Sequence, residues 1–239
     1  MSHERRATND EPQILQPLLM FHAFCYSLTK FICWLILRLG FNLRVQGQEH
    51  VPRRGSFILA SNHVSFLDPV VVGVACPRRV LFMARESLFQ KPILGAFLRC
   101  VQVIPLHRGE TDVSALREAL KQLRQGQAVA LFPEGTRQSE GSLGVAKRGV
   151  GLLAVMAKAP IIPVVVKGTF DALPPKARWL RPSKIRVAFG APIAYTSKLS
   201  ESRDMPVEGM AARAAHEQLA QAVSRQWHAL AHKFRFREI

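Results

Sequence analysis

Apolar and polar positions divide the chain into three stretches of different character. Residues 1–13 are polar and mixed in charge, which predicts a mobile tail. Leu18 to Leu37 is then almost continuously apolar. Further on, short apolar runs alternate with amphipathic stretches. Runs at 57–61, 80–84, 101–106, 128–132, 161–166 and 185–190 predict strands, and 69–76, 91–99, 111–125, 146–158 and 207–232 predict helices. Alternation with short connections predicts an α/β fold, a single domain over 44–239 with a mixed, largely parallel sheet flanked by helices. An N-terminal apolar, membrane-associated helical segment over 14–43 precedes it.

That segment is long enough to span a bilayer, which takes about 20 residues. Lys30 opposes a span, because a lysine at the bilayer centre costs about 2.5–3.5 kcal/mol. On a helical wheel His22, Tyr26, Thr29, Lys30 and Cys33 fall within roughly one third of the circumference. So narrow a polar stripe suits a helix lying in the interface or dipping into one leaflet; a buried core helix is the competing reading. Glu4, Asp10 and Glu11 break up the basic start of a signal peptide, and no small-residue cleavage site follows.

Charge narrows the partners. Lys plus Arg number 33 against 17 Asp plus Glu, a net +16, which calls for nucleic acid, a phosphorylated substrate or anionic lipid. The basic stretch from Lys176 to Lys184, with Arg178 and Arg181 around Trp179 and Leu180, fits a membrane-facing loop as well as a solvated one. Cys25, Cys33, Cys76 and Cys100 have no metal-type spacing and read as buried free thiols.

The candidate chemistry starts at Asn62-His63-Val64-Ser65-Phe66-Leu67-Asp68. The apolar run Phe57 to Ala60 precedes it, and Pro69 opens the next apolar run. Asp before Pro predicts a helix start with Asp68 at N-cap and Pro69 at N1. His63 then leaves a strand on a short loop, and a turn brings its imidazole to the Asp68 carboxylate. Asp68 as a mere cap, and His63 as an ordinary loop residue, are the plain alternatives. A second strand, Val129 to Phe132, ends in Pro133-Glu134-Gly135-Thr136-Arg137. Pro133 stops the ladder and Gly135 permits a tight turn. An ordinary polar turn with a surface Glu–Arg pair is the alternative there.

Together these segments resemble the glycerolipid acyltransferases, the 1-acyl-glycerol-3-phosphate acyltransferases and their relatives. The family's first block, Asn-His, four residues, Asp, matches Asn62, His63 and Asp68. Its Phe-Pro-Glu-Gly-Thr-Arg block matches Phe132 to Arg137 in full. Val103 to Arg108 is similar to the block that ends in a phosphate-binding Arg, and Ile161 to Val166 to the apolar block around a Pro. The family's Phe-Lys-x-Gly is Ala146-Lys147-Arg148-Gly149 here, Gln138 stands where Ser is common, and Val101-Gln102-Val103 replaces small residues.

The resemblance implies a membrane-associated O-acyltransferase of phospholipid biosynthesis at the cytoplasmic face of the inner or plasma membrane. It moves an acyl group from acyl-CoA or acyl carrier protein to a lysophospholipid hydroxyl, with 1-acyl-glycerol-3-phosphate as acceptor and phosphatidate as product. Another lysolipid, including an amino-acid-derived one, is the alternative acceptor. The implied partners are membrane lipid and the thioester donor, with no other cofactor, no metal and no nucleic acid. Histidine suits a general base near neutral pH, and an Asp behind it fixes the tautomer. His63 and Asp68 take those roles, and the substrate hydroxyl is the nucleophile. Ser65 as an acylated residue is the minor alternative. Arg108 and Arg137 offer forked donors to phosphate, Lys147 is a further contact, and Thr136 is a further substrate-binding candidate. Glu134 is expected to orient an arginine or accept from the glycerol hydroxyl, and the Gly135 N–H to face substrate or oxyanion. A basic nucleic-acid binder, suggested by charge alone, and a catalytically dead lipid binder are the rival classes.

Overall fold

The computed structural model describes residues 12–106, 112–138, 141–174, 177, 179–195 and 208–236. Among the described residues the strands are β1 (Arg44–Gln46), β2 (Phe57–Ser61), β3 (Met83–Arg85), β4 (Ile104–Leu106), β5 (Ala128–Leu131), β6 (Ile161–Lys167) and β7 (Arg186–Phe189). The helices are α1 (Pro12–Gly40), α2 (Asp68–Ala75), α3 (Pro92–Cys100), α4 (Asp112–Arg124), α5 (Gly149–Ala157), α6 (Thr169–Ala172) and α7 (Glu208–Phe236). The main sheet runs β1-β7-β6-β2-β5. β2 is parallel to both β5 and β6, β1 is parallel to β7, and only the β6–β7 pair is antiparallel. β3 and β4 form a parallel ribbon, joined to the main sheet where the Leu81 amide donates to the Ala128 carbonyl. The mixed, largely parallel sheet is the one expected from the alternation of elements.

Central strands buried on both faces read as unbroken apolar runs. In β2, Phe57 and Leu59 point into the core under α2, and Ile58 and Ala60 into the core under α4, α5 and α7. The expected strand at 101–106 shortens to 104–106 because residues 101 and 102 turn at the end of α3, with Gln102 at φ +56°. β1 was not expected. Its three residues are too few to show a period, and its pairing with β7 makes it a strand.

The strands following opposite helices create the site. β2 leads into α2, which packs on one face of the sheet, whereas β5 leads by a loop into α5, which packs on the other. β2 and β5 are neighbours, so a crevice opens at their carboxyl ends, where open α/β sheets bind ligands.

α1 and α7 are both 29 residues long and use their faces in opposite ways. α7 buries Leu219, Val223 and Trp227, and the Trp227 indole N–H donates to the Ala60 carbonyl at 2.9 Å. α1 instead leaves Phe24, Leu28, Phe31, Trp34 and Leu35 exposed. Its polar stripe faces the protein: Lys30 Nζ donates to the Cys76 carbonyl at 2.6 Å, at the carboxyl end of α2, where a cation also suits the helix dipole. Tyr26 stacks under Arg79. The stripe read as lipid-adjacent polarity is thus the docking face of α1. The helix begins at Pro12, and Leu37 near its end packs in the hydrophobic core. Ala23–Gly40 is long and apolar enough to cross a membrane by length and composition. Residues 1–11, Lys176 and Arg178 lie outside the described residues; Trp179 and Arg181 are exposed.

Candidate active site

β2 ends at Ser61, and the next residues are held from both neighbouring strands. On the β6 side, Asn62 Nδ2 donates to the Val166 carbonyl at 3.1 Å, and the Val166 amide donates back to Oδ1 at 2.8 Å. The side chain thereby continues the ladder that the backbone abandons. On the β5 side, the His63 amide donates to Glu134 Oε2 at 3.0 Å, and the His63 carbonyl accepts from the Gln138 amide at 2.8 Å. The Phe132 ring stacks on the imidazole with centroids 4.2 Å apart. Every group of His63 except one ring edge is thus fixed.

The turn expected between His63 and Asp68 is present. His63 Nδ1 lies 2.8 Å from Asp68 Oδ2, which also accepts the Val64 and Ser65 amides, each at 2.7 Å. A carboxylate oxygen surrounded by N–H donors acts as acceptor, so Nδ1 carries the imidazole proton and Nε2 presents its lone pair. Asp68 is fully buried, whereas the His63 side chain keeps 19% exposure. Asp68 is not the N-cap: the helix starts at Asp68 itself, Leu67 is the cap residue, and the carboxylate turns back to the preceding amides. Ser65 is buried, and its hydroxyl donates to the Leu173 carbonyl at 2.8 Å. That removes it as a nucleophile.

The Pro133–Arg137 turn divides into a structural and an exposed part. Glu134 is 4% exposed, and its other oxygen accepts the Gly144 amide at 2.9 Å. Both oxygens are therefore spent on backbone, and neither orients an arginine. Burial pushes this carboxyl up, while the two amides and His63 pull it back. The Gly135 N–H, expected to face substrate, donates to the Phe132 carbonyl at 3.0 Å and closes the turn instead. Glycine is favoured there by a φ of +78°; Lys147 Nζ, which crosses above it, is the end of a flexible side chain. Thr136 is exposed. The Arg137 guanidinium lies over the Phe66 ring, Cζ 3.5 Å from its centroid, and its buried Nη1 has no partner among the described residues. Arg108 lies outside the described residues.

Phe66, Phe132 and Asn62 are contributions to the site that carried no assigned role in the sequence. Phe66 had one signal, a bulky aromatic in the turn between His63 and Asp68, and it remains 56% exposed. Among the described residues no cluster of His, Cys, Asp and Glu could hold a metal ion.

A histidine backed at Nδ1 by a buried acceptor carboxylate, with no hydrogen bond to Nε2 among the described residues, can serve as a general base. Residues 42–167 match the family described as Acyltransferase. The chain is 30% identical over 173 residues to the 1-acyl-sn-glycerol-3-phosphate acyltransferase of Bacillus subtilis, covering 72% of this chain and 82% of that protein. It is 30% identical over 174 residues to the chloroplastic 1-acyl-sn-glycerol-3-phosphate acyltransferase BAT2 of Brassica napus, covering 70% of this chain but only 50% of that protein. The fold is that of the 1-acyl-sn-glycerophosphate acyltransferase PlsC from Thermotoga maritima, with a TM-score of 0.61, 23% identity, and 90% of this chain and 89% of that chain covered. The chain belongs to the acyltransferase family and is an O-acyltransferase by that membership.

Proposed function

We propose that this enzyme acylates the free hydroxyl of 1-acyl-sn-glycerol-3-phosphate from a thioester donor, giving phosphatidate, at the cytoplasmic face of a membrane. The observation that carries the reading is His63, held at Nδ1 by buried Asp68 with no hydrogen bond to Nε2 among the described residues, in the same loop cluster as Arg137, whose guanidinium lies over Phe66 of the His63–Asp68 turn. Nε2 takes the hydroxyl proton as the oxygen attacks the thioester carbonyl. The tetrahedral adduct collapses with cleavage of the C–S bond, and the imidazolium returns the proton to the departing thiolate. Asp68 holds the ring in the required tautomer throughout and stabilises the imidazolium. Arg137, with Lys147 alongside, takes the acceptor's phosphate; Arg108 is proposed as a further contact. The names of the Bacillus and Brassica relatives support the acceptor. The outward apolar face of α1 supports membrane attachment, because acceptor and product both carry acyl tails.

The test is product analysis by mass spectrometry. The purified chain in phosphatidylglycerol–phosphatidylethanolamine vesicles is given lysophosphatidate or lysophosphatidylcholine, each with acyl-CoA or acyl carrier protein. Phosphatidate formation, faster than acylation of the choline lipid, is expected with at least one donor. No acylation with either donor, or equal rates on the two acceptors, overturns the reading. Protease protection of an N-terminal tag on sealed vesicles of known sidedness tests the face.

A further inference from the structure

α3 is a nine-residue helix built mostly from apolar side chains, yet Gly95 is its only buried residue. Gly95 is the contact that seats it, since a Cβ there would collide with the Phe89 carbonyl oxygen. Arg99, one turn further on the same side, donates to that carbonyl at 3.2 Å. The opposite side carries Ile93, Phe97 and Cys100 at i, i+4 and i+7, a spacing that aligns them along one stripe. The Cys100 end of this stripe docks on α1, where its thiol meets that of Cys25. Nearby, Arg79 ties the same two elements by stacking on Tyr26 and donating to Gln102, just past the end of α3. The Ile93 end runs free: Ile93 is 89% exposed, and Leu94 beside it 36%.

The stripe thus begins against α1, the helix whose other side is apolar and exposed, and continues into the open at Ile93. Lys91 precedes α3 and Arg99 lies in its last turn, both exposed. Lys91, at the free end of the stripe beside Ile93, suits an anionic headgroup next to an inserted apolar side chain, whereas Arg99 is turned to the Phe89 carbonyl on the other side. We propose that α3 is a second lipid-inserted element, and that the bilayer grips the enzyme at α1 and α3 together. α1 already packs on the domain, and a second attached element would add to what fixes the direction the crevice faces. This inference rests on the membrane-associated acyltransferase reading, but its readout does not use turnover.

The experiment places a probe at position 93 of the full chain. Ile93→Trp protein is bound to phosphatidylglycerol–phosphatidylethanolamine vesicles whose acyl chains carry bromine near the interface, with the parent chain as the tryptophan background. Tryptophan quenching beyond the parent's, and protection of the added fluorescence from an aqueous quencher, are the expected results. A position-93 signal quenched from water and untouched by bromine overturns the proposal. Ile93→Asp is the second variant. It is expected to lower vesicle partition by about tenfold, in line with loss of a buried isoleucine-sized contact, with its circular dichroism spectrum unchanged. If Ile93→Asp instead dissociates a dimer in detergent and leaves vesicle partition unchanged, a second copy covers the stripe and the proposal fails. Should the vesicle-bound parent fail to acylate any lysolipid, the enzymatic reading fails while the quenching result stands.

Discussion

The two halves of the site are built on opposite terms. The His63 half is closed: Asp68 is fully buried, Glu134 nearly so, and the His63 backbone, Nδ1 and ring face are hydrogen-bonded or stacked, while Asp68 Oδ1 has no partner among the described residues. The Arg137 half is more exposed at Lys147, and a buried guanidinium nitrogen of Arg137 has no partner among the described residues. A base that must act at one geometry gains from being over-determined, because a misplaced proton acceptor loses rate steeply. Cations proposed to capture a mobile phosphate gain from being unsatisfied, since an internal partner would compete with the ligand. The comparison assigns rate to the first half and acceptor affinity to the second. Variants that confuse the two would break it.

The largest effect is expected from His63→Ala. Loss of a general base costs about 100- to 10,000-fold in turnover. The KM for lysophosphatidate should move little, since the cations remain. A folded variant that keeps more than a tenth of parental turnover removes His63 from the role of base.

Glu134→Gln comes next, and it sharpens the claim that this residue serves position rather than phosphate. A carboxylate accepts from the His63 and Gly144 amides with its two oxygens. An amide has one oxygen, so one backbone N–H must face an NH2 group. A buried unsatisfied donor costs about 1–3 kcal/mol. The expected outcome is a lower melting temperature and a kcat reduced by roughly tenfold, the lower half of that range, with acceptor KM little changed. pH adds a second readout. Burial raises the Glu134 carboxyl above its ordinary range. The folded state therefore holds this proton more tightly than the unfolded chain does. That contribution is full below the ordinary carboxylate pKa and is lost as pH rises through the raised one. Parental stability should fall across that window, and the glutamine variant should lack the decline. A selective rise in lysophosphatidate KM would instead put Glu134 with the ligand-binding half.

Arg137→Ala tests the open half. The KM for lysophosphatidate is expected to rise by about tenfold, as loss of a charge-assisted contact of about 1.5 kcal/mol implies. A neutral lysolipid should be used as before. Arg137→Lys should restore only part, because an ammonium has no plane to lay on Phe66. Equal losses on charged and neutral acceptors would make Arg137 structural.

The closed half was largely legible in the sequence because its geometry is local. Five positions separate His63 from Asp68, and a strand end followed by a helix start forces a turn between them. The sheet was legible for a similar reason: β2, β5 and β6 are unbroken apolar runs. What escaped depends on partners distant in sequence. Asn62 gains its role only because β6 lies alongside, more than 100 residues further on. Glu134 was placed with the ligand because an acid in a polar turn reads as exposed, and its burial follows from the path of residues 141–144 above it. The stripe on α1 was seen, but its direction was not: periodicity reports that a face exists and not whether water, lipid or protein lies against it. Lys30 answers that only through the Cys76 carbonyl.

The smallest effect, and the finest test of the comparison, concerns the residue that belongs to both halves. Phe66 sits in the turn between base and carboxylate, yet its ring supports the guanidinium of Arg137. It makes no hydrogen bond to the closed half, so its removal should leave the His63–Asp68 geometry intact. An exposed cation–π contact contributes about 0.5–1 kcal/mol. Phe66→Leu keeps an apolar side chain but removes the ring face. It should raise the lysophosphatidate KM by roughly two- to fivefold, leave kcat and the neutral acceptor's KM unchanged, and be rescued by Phe66→Tyr. A fall in kcat with unchanged KM would show that the ring holds the turn and thereby the base. The two halves would then be coupled through Phe66, and the division of rate from affinity would fail at that residue.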